Sequence, residues 1–546
     1  MTVEATPLVR EPAVAGLKGK LFSGMALSAV AGFLNRFILF LATALLARLL
    51  GPHVMGIGNM AGLILTAIVL TVNRGVPQSV VRMRDRDMAL LADTGFYLML
   101  ALGLIVSVAF ALSAPLFAAA FAEPQLTRIL PVLSLGVFAF AFGRIHSAVM
   151  DRELSTWRRF VPQVVASIGF LVVSAPMALL HFGVWSIVGG HLAFWTSYSV
   201  FNILMTSWRP GRRFSWPVAK EMLRFTRDMT ITGLSSYGFR NIDNASVGRF
   251  LGASALGIYS MAFNLASAPL LLARPVGDRG LFPVFAAAQQ DRAELMRLYR
   301  LTVRLFSTLG MISGVLLVAL TPDLVRLVYG DAWLDAVLPV QILALQGALG
   351  TAVLPNIPIL TALNKRRQLY PIIFSTFFLL VILLYPATQY GATMVLALAP
   401  VLGLAVSPDR STYYALIAVS VAACFAWLVG EIASVLLVAR VLDFSPLQPL
   451  KVLAKPLAGS ILAVAPTIVV PDLLFGSTQL NAVGLLRLAV ESGAALGLLA
   501  LWLFKTDPGV LQAYRQLKGL RRRVRQAASD ERDEGALAAD SFGPGV

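Results

Sequence analysis

Fourteen apolar stretches follow one another along this chain, at roughly residues 22–47, 54–78, 95–121, 127–149, 160–181, 185–207, 229–250, 254–282, 302–320, 336–361, 369–386, 412–440, 453–470 and 482–504. A hydrocarbon core of about 30 Å is crossed by about 20 apolar residues in a helix, so each stretch is a candidate span. Composition agrees. Hydrophobic residues make up 58% of the chain and charged ones 13%, whereas a soluble domain holds about 45–50% and about a quarter. Folded in water, such a chain would expose too much apolar surface. The expected fold is therefore an all-α polytopic membrane protein of about 14 transmembrane helices.

An internal repeat organises these helices. RLLGPHVMGIGNMA (Arg48 to Ala61) returns 201 residues later as RFLGASALGIYSMA (Arg249 to Ala262), with seven of fourteen positions identical. Repeats of this kind typify transporters, whose sites lie between the repeated units. The offset spans six helices, an even number, so both copies enter the membrane in the same sense, related by a pseudo-two-fold along the membrane normal. The expected organisation is a cytoplasmic N-terminal segment (1–21), a six-helix lobe (22–207), a cytoplasmic linker (208–228), a second six-helix lobe (229–440) and two further helices (441–505). In the linker, Trp216, Met222, Leu223 and Phe225 mix with Lys220, Arg224 and Arg227, which predicts a short helix on the inner surface. Residues 391–406 are apolar but short and contain Pro400, so 389–410 is expected as an outer, interfacial or re-entrant insertion.

Orientation follows from the basic loops, since Lys and Arg near helix ends stay on the cytoplasmic side. With the N-terminus inside, inner connections carry clusters such as Arg82, Arg84 and Arg86, or Lys365, Arg366 and Arg367. The outer ones hold only Arg48, Arg128, Arg249, Arg326 and Arg410. Both termini are thus expected in the cytoplasm, and the net charge of +17 is mostly topological. Residues 1–21 are too interrupted by charge to be a cleaved signal peptide. After residue 505, Val510, Leu511, Tyr514, Leu517, Leu520 and Val524 share a helical face beside six basic residues. The segment within 506–546 is read as lying on anionic lipid of the inner leaflet, followed by a disordered acidic tail. Nucleic acid is not an expected partner.

The run NIDNASVGRFLGASALGIYSMAFNLASAPL (Asn241 to Leu270), then LFPVFAAAQQDRAELMRLYRLTVRL and LVYGDAWLDAVLPVQILALQG, resembles the Wzx-like polysaccharide transporter (oligosaccharide flippase) family of the multidrug, oligosaccharidyl-lipid and polysaccharide exporter superfamily. The resemblance implies a transporter in the bacterial inner membrane that flips a polyprenyl-diphosphate-linked glycan for surface or exopolysaccharide synthesis. It would work by alternating access around a cationic cavity. It also implies a polysaccharide polymerase and export machinery as partners. Two other readings stand beside it: a flippase for the peptidoglycan lipid precursor, and a cation-coupled drug exporter, which usually has twelve helices. The loops are too short to hold a catalytic domain, so the chain is not read as an enzyme.

A diphosphate cargo calls for cations inside the membrane, where charge is costly and usually functional. Asn35 and Arg36 in helix 1, and Arg240, Asn241, Asp243 and Asn244 in helix 7, fall near mid-depth and are the expected cavity residues. Arg36 aligns with Tyr237 in the repeat, one turn from Arg240. A guanidinium stays charged and can bond two phosphate oxygens at once. A plainer reading is that Arg240 and Asp243, at i and i+3, neutralise each other. Helix 7 also carries Thr230, Thr232, Ser235, Ser236, Tyr237 and Ser246, too many polar groups to face lipid. Nearer the cytoplasmic mouth stand Arg74, Arg274, Asp278 and Arg279, with Arg144 and Arg304 at similar depth, where long side chains can also simply snorkel. No cofactor is expected, but Asp243, Asp278 or Glu431 could couple transport to H⁺ or Na⁺, because a dry carboxyl titrates nearer neutrality. No metal site is expected from His53, His146, His181 and His191, and Cys424 alone makes no disulfide within the chain. No phosphate-cradling Gly-rich loop is present to hydrolyse ATP.

Overall fold

A computed structural model describes residues 12–83, 85–153, 156–399 and 407–445, with isolated helical positions beyond them. The first two expected spans form a single element, α1 (Pro12–Asn73), broken at Gly51, where φ is 73° and ψ 175°. That left-handed φ costs glycine nothing and would strain any residue with a Cβ. The break recurs at Gly252 (φ 86°), the corresponding glycine of the repeat, between α8 (Trp216–Phe250) and α9 (Gly252–Val276). Between the two copies run α2 (Val76–Arg82), α3 (Met88–Leu112), α4 (Ala114–Phe121), α5 (Leu126–Arg152), α6 (Thr156–Leu179) and α7 (Val184–Met205). After α9 a π-helical turn (Gly277–Leu281) leads into α10 (Phe282–Ala287). Then follow α11 (Arg292–Val328), α12 (Val337–Ala352), α13 (Asn356–Ala362), α14 (Leu369–Leu398) and α15 (Ser411–Val441). Among the described residues, nine helical stretches are long and apolar enough to cross a membrane, and one of them, Leu34–Arg82, contains the Gly51 break. The chain is a multi-pass membrane protein. The last two expected spans, the basic segment and the acidic tail lie outside the described residues.

Two expected boundaries are corrected. The linker helix is not a separate surface element: Trp216 opens α8, which runs unbroken to Phe250. Its apolar residues Val218, Ala219 and Met222 are buried in one core with Val76 and Val80 rather than laid on lipid. The preceding segment is pinned to the first half, since Gly211 N donates to Asp93 Oδ1 (2.9 Å), Tyr97 Oη to Gly211 O (2.9 Å) and Ser215 N to Thr94 Oγ1 (3.2 Å). The outer insertion, expected from residue 389, starts later, because α14 continues to Leu398. Gly391 lets that extension pack directly on Ala415 and Ala418 of α15, the close approach that small residues permit between membrane helices.

The two halves meet where α1 packs on α8 and α9. Beside the Gly51 and Gly252 breaks, the repeated segments pack on each other with near two-fold symmetry. A Cβ on Gly56 would overlap the Ala253 carbonyl, and a Cβ on Gly257 would overlap the Pro52 carbonyl. Pro52 and Ala253 are themselves repeat equivalents. Around this seam Met60, Ala61, Met261 and Ala262 are buried, the Trp333 indole donates to Ala47 O (3.0 Å), and Arg48 Nη1 donates to Leu327 O (2.6 Å). The halves are thus closed backbone to backbone at the end opposite the basic loops.

Candidate functional site: arginines between the halves

Toward the basic loops the contact between halves changes character. One face of α8 lies along the second arm of α1: Thr226 fills the space beside Gly75, Thr230 Oγ1 donates to Thr71 O (3.4 Å), and Tyr237 Oη donates to Leu63 O (3.0 Å). A second face packs Phe239 on Phe374 and Phe377 of α14. The remaining stripe, Asp228, Thr232, Ser235, Ser236 and Arg240, is exposed and falls at i, i+4, i+7, i+8 and i+12, a single side of the helix. The Thr232 and Ser236 hydroxyls donate to the carbonyls of Asp228 and Thr232, but a guanidinium on the same stripe demands water or an anion. Lipid can supply neither at that depth.

Four arginines lie along this contact, two from each half. Arg36 on α1 donates through Nη1 to Leu271 O of α9 (3.2 Å), one turn before Arg274. Arg274 in turn stands near enough to Arg240 for the two cations to repel. Arg74 lies flat over Gly233 of α8, its Nη1 3.4 Å from where a Cβ would sit, two turns before Arg240. At 1.5 Å per residue, Arg36 and Arg240 are about 22 Å and about 18 Å from the glycine breaks, beyond the middle of a core about 30 Å thick. The two tiers expected from sequence depth therefore merge at Arg274. Among the described residues no ion pair joins Arg240 to Asp243, so the plainer alternative, a neutralising pair at i and i+3, does not form.

Other expected cavity residues point elsewhere. Asn35 is buried and accepts a hydrogen bond from Ser167 of α6. Asn241 is half-buried and donates to Tyr237 O (2.9 Å). Asp243 is buried between α8 and α9, its Oδ1 accepting from Asn244 N (2.8 Å) and Nδ2 (3.2 Å), its Oδ2 from Tyr259 Oη (2.9 Å). Asn244 accepts from Ser260 Oγ (3.0 Å). This carboxyl cluster belongs to the second half alone. Arg144 is held within the first half by Asn73 Oδ1 (2.7 Å) and Ser147 Oγ (2.8 Å). Asp278 and Arg279 fall in the π-helical turn, a feature common at functional sites, and their side chains lie outside the described residues. Glu431 sits on α15 with Oε1 over Gly350 and with Oε2 buried and without a hydrogen-bond partner.

Sequence reasoning missed Tyr259 and Ser260 as partners of Asp243 and Asn244. The signal was present for Tyr259: it replaces Gly58 of the first copy, so the repeat puts polar bulk there in one half and not the other. Nothing in the sequence pattern pairs Ser167 with Asn35.

Comparison with known proteins adds an independent line. Residues 45–338 match the family model described as "Polysaccharide biosynthesis protein". The chain is 27% identical over 402 residues to the lipopolysaccharide biosynthesis protein WzxC of Escherichia coli (strain K12), covering 71% of this chain and 78% of that one. To the succinoglycan biosynthesis transport protein ExoT of Rhizobium meliloti (strain 1021) it is 23% identical over 337 residues, 61% and 67% of the two chains. Among solved structures, the lipid II flippase MurJ in an inward closed conformation matches with a TM-score of 0.64 at 12% identity, over 88% of this chain and 99% of that one. An inward-facing multidrug resistance transporter of the MATE family matches with a TM-score of 0.57 at 16% identity, over 74% and 95%. These two likenesses concern the fold.

Proposed function

Because the chain belongs to the family of polysaccharide biosynthesis proteins, as a Wzx-like transporter, we propose that it flips a polyprenyl-diphosphate-linked oligosaccharide across the bacterial inner membrane. One observation carries the reading: arginines from both halves converge on α1, α8 and α9 beside a polar, exposed stripe of α8. A diphosphate bridging Arg36 and Arg240 replaces the repulsion between Arg240 and Arg274 by charge-assisted hydrogen bonds, each stronger than a neutral one. The glycan remains in the water that the stripe requires. The basic loops lie in the cytoplasm by the positive-inside rule, so the seam at Gly56 and Gly257 closes the far side while the arginines are reached from within. Alternating access then requires the seam to part and the Arg36 and Arg74 contacts to break. Asp243, or Glu431 with its unpartnered oxygen, is where H⁺ or Na⁺ would couple that exchange.

The test is translocation of a fluorescent polyprenyl-diphosphate-linked oligosaccharide in proteoliposomes. Wild type is expected to flip it, and Arg36→Ala and Arg240→Ala to slow flipping by about tenfold to a hundredfold, the scale of one or two hydrogen bonds to a charged group. Wild-type rates from both variants would make the arginines structural. An inert wild type that instead moves the peptidoglycan precursor or a cationic drug would transfer the chain to one of the other two readings.

A further inference from the structure

A second basic site lies away from the arginines between the halves. Where the turn before α14 meets the end of α15, a cavity of about 580 Å³ is lined by Lys365, Gln368, Pro371, Leu437, Arg440 and Val441. Its lining carries two cations, an amide and no carboxylate. The nearest acid in the chain after α15, Asp443, is already held by Arg292 of α11 (2.7 Å), and Arg292 also donates to Leu442 O (3.1 Å). Arg366 and Arg367 stand exposed in the adjoining 3₁₀ turn and add positive potential.

Topological charge alone would leave Lys365 and Arg440 free in water. Here they flank a concave surface whose other wall is apolar, from Pro371, Leu437 and Val441. That wall continues along the membrane face of the same two helices. Ile373 and Phe378 on α14, and Ile432 and Leu436 on α15, are between 45% and 59% exposed among the described residues. Tyr370, half exposed at the second residue of α14, is of a type enriched at membrane interfaces. A cationic pocket opening onto an apolar strip is the complement of a molecule with an anionic head and an acyl tail.

The geometry points to a binding site for an anionic glycerophospholipid of the cytoplasmic leaflet, with its phosphate between Lys365 and Arg440 and its acyl chains along Phe378 and Leu436. Gln368 supplies a hydrogen bond to the glycerol or phosphodiester oxygens. Basic pockets between helices on the cytoplasmic side suit such headgroups, and the volume fits one. The site joins α14 to α15 through a lipid, so it stiffens that helix pair of the second half. It rests on the membrane placement of the chain and not on the identity of the cargo.

The full-length protein purified in mild detergent is titrated with phosphatidylglycerol and, separately, with phosphatidylcholine, and bound lipids are counted by native mass spectrometry. Three forms are compared: wild type, Lys365→Gln with Arg440→Gln, and Lys220→Gln with Arg224→Gln, which removes equal charge from an exposed stretch of α8. Wild type and the α8 control are expected to prefer phosphatidylglycerol by about tenfold for at least one lipid, the scale of cations acting near an anionic headgroup. The Lys365 and Arg440 variant is expected to lose that preference. Equal losses in both double variants, or no preference in wild type, overturn the site. Displacement of phosphatidylglycerol by equimolar polyprenyl diphosphate would also overturn it, giving the pocket to the carrier lipid instead. Failure of flipping in proteoliposomes leaves this readout untouched, so the two readings fail separately.

Discussion

The two copies of the repeat are alike where they touch each other and unlike where they border the space between the halves. Gly51 and Gly252 break their helices with the same sign of φ, and Gly56 and Gly257 each accept the other copy's backbone. From two residues beyond Gly56 on one side to about four turns before Gly51 on the other, the symmetry of the side chains ends. Arg36 stands opposite Tyr237, and both donate to a carbonyl of the other half, Leu271 O and Leu63 O. Gly58 and Asn59 stand opposite Tyr259 and Ser260, which hold Asp243 and Asn244. A backbone contact admits only hydrogen at its centre, so neither copy can change there without parting the halves. Away from that contact many side chains fit, and each half uses a different set, with Tyr259 and Asp243 buried inside the second half. The seam is symmetric because packing demands it, whereas the side chains around it differ: the first half reaches across with Arg36 and Arg74, and the second buries a carboxyl, Asp243, within itself.

The hardest way to break this comparison is to put a side chain into the seam. In Gly257→Leu the Cβ meets the Pro52 carbonyl, which cannot rotate away as a side chain would. Overpacking usually costs about 1–3 kcal/mol, and a backbone obstacle puts this variant at the top of that range or above it. Thermal unfolding in detergent should show a drop of many degrees. Gly62→Ala, two turns further into α1 with nothing within 4 Å of its Cβ, should be neutral or slightly stabilising. Equal effects from the two would mean the seam is looser than its geometry.

That contrast also shows how much of the molecule was readable in advance. Helix positions, the internal repeat and the placement of Arg36 and Arg240 between the halves follow from apolar length, self-similarity and intramembrane charge. Those are properties of single segments. What the sequence did not disclose depends on partners far apart along the chain. Asn35 turned toward Ser167 and Asp243 toward Tyr259, because a helix face is shared among neighbours whose order periodicity cannot supply. The start of α8 looked like a surface helix since its apolar residues are few, and only Val76 and Val80 explain where they go. The reach of α14 through Gly391 was hidden for the same reason: its support is the small-residue face of α15.

A smaller effect sharpens the asymmetric part. Tyr259→Phe leaves Asp243 Oδ2 buried with no hydroxyl to donate to it. Stranding a buried acceptor costs about 1–3 kcal/mol, so unfolding should shift measurably downward while the seam stays closed. Asp243→Asn in the same background should recover part of the loss, because a neutral amide costs less to bury without its partner than a carboxylate does. A neutral Tyr259→Phe would mean that water or another group reaches Asp243, and the second half would then differ from the first in shape only.

The smallest expected difference compares the two arginines that open the repeat. Arg48 and Arg249 are equivalent in sequence and both exposed, yet Arg48 reaches across to Leu327 O of α11 at 2.6 Å, tying the first half to the second just beside the seam. Arg249 closes the last turn of α8, where a cation complements the carbonyl end of the helix. Arg48→Gln should therefore cost about 1 kcal/mol, the net value of one exposed hydrogen bond from a charged donor. Arg249→Gln should stay within about 0.5 kcal/mol, as surface changes away from specific contacts do. Both variants leave the glycine contacts in place, so a double variant should show simple addition of the two. If Arg249→Gln costs as much as Arg48→Gln, the seam draws on both arginines alike, and the symmetry between the copies extends to the side chains around it as well as to the backbone at its centre.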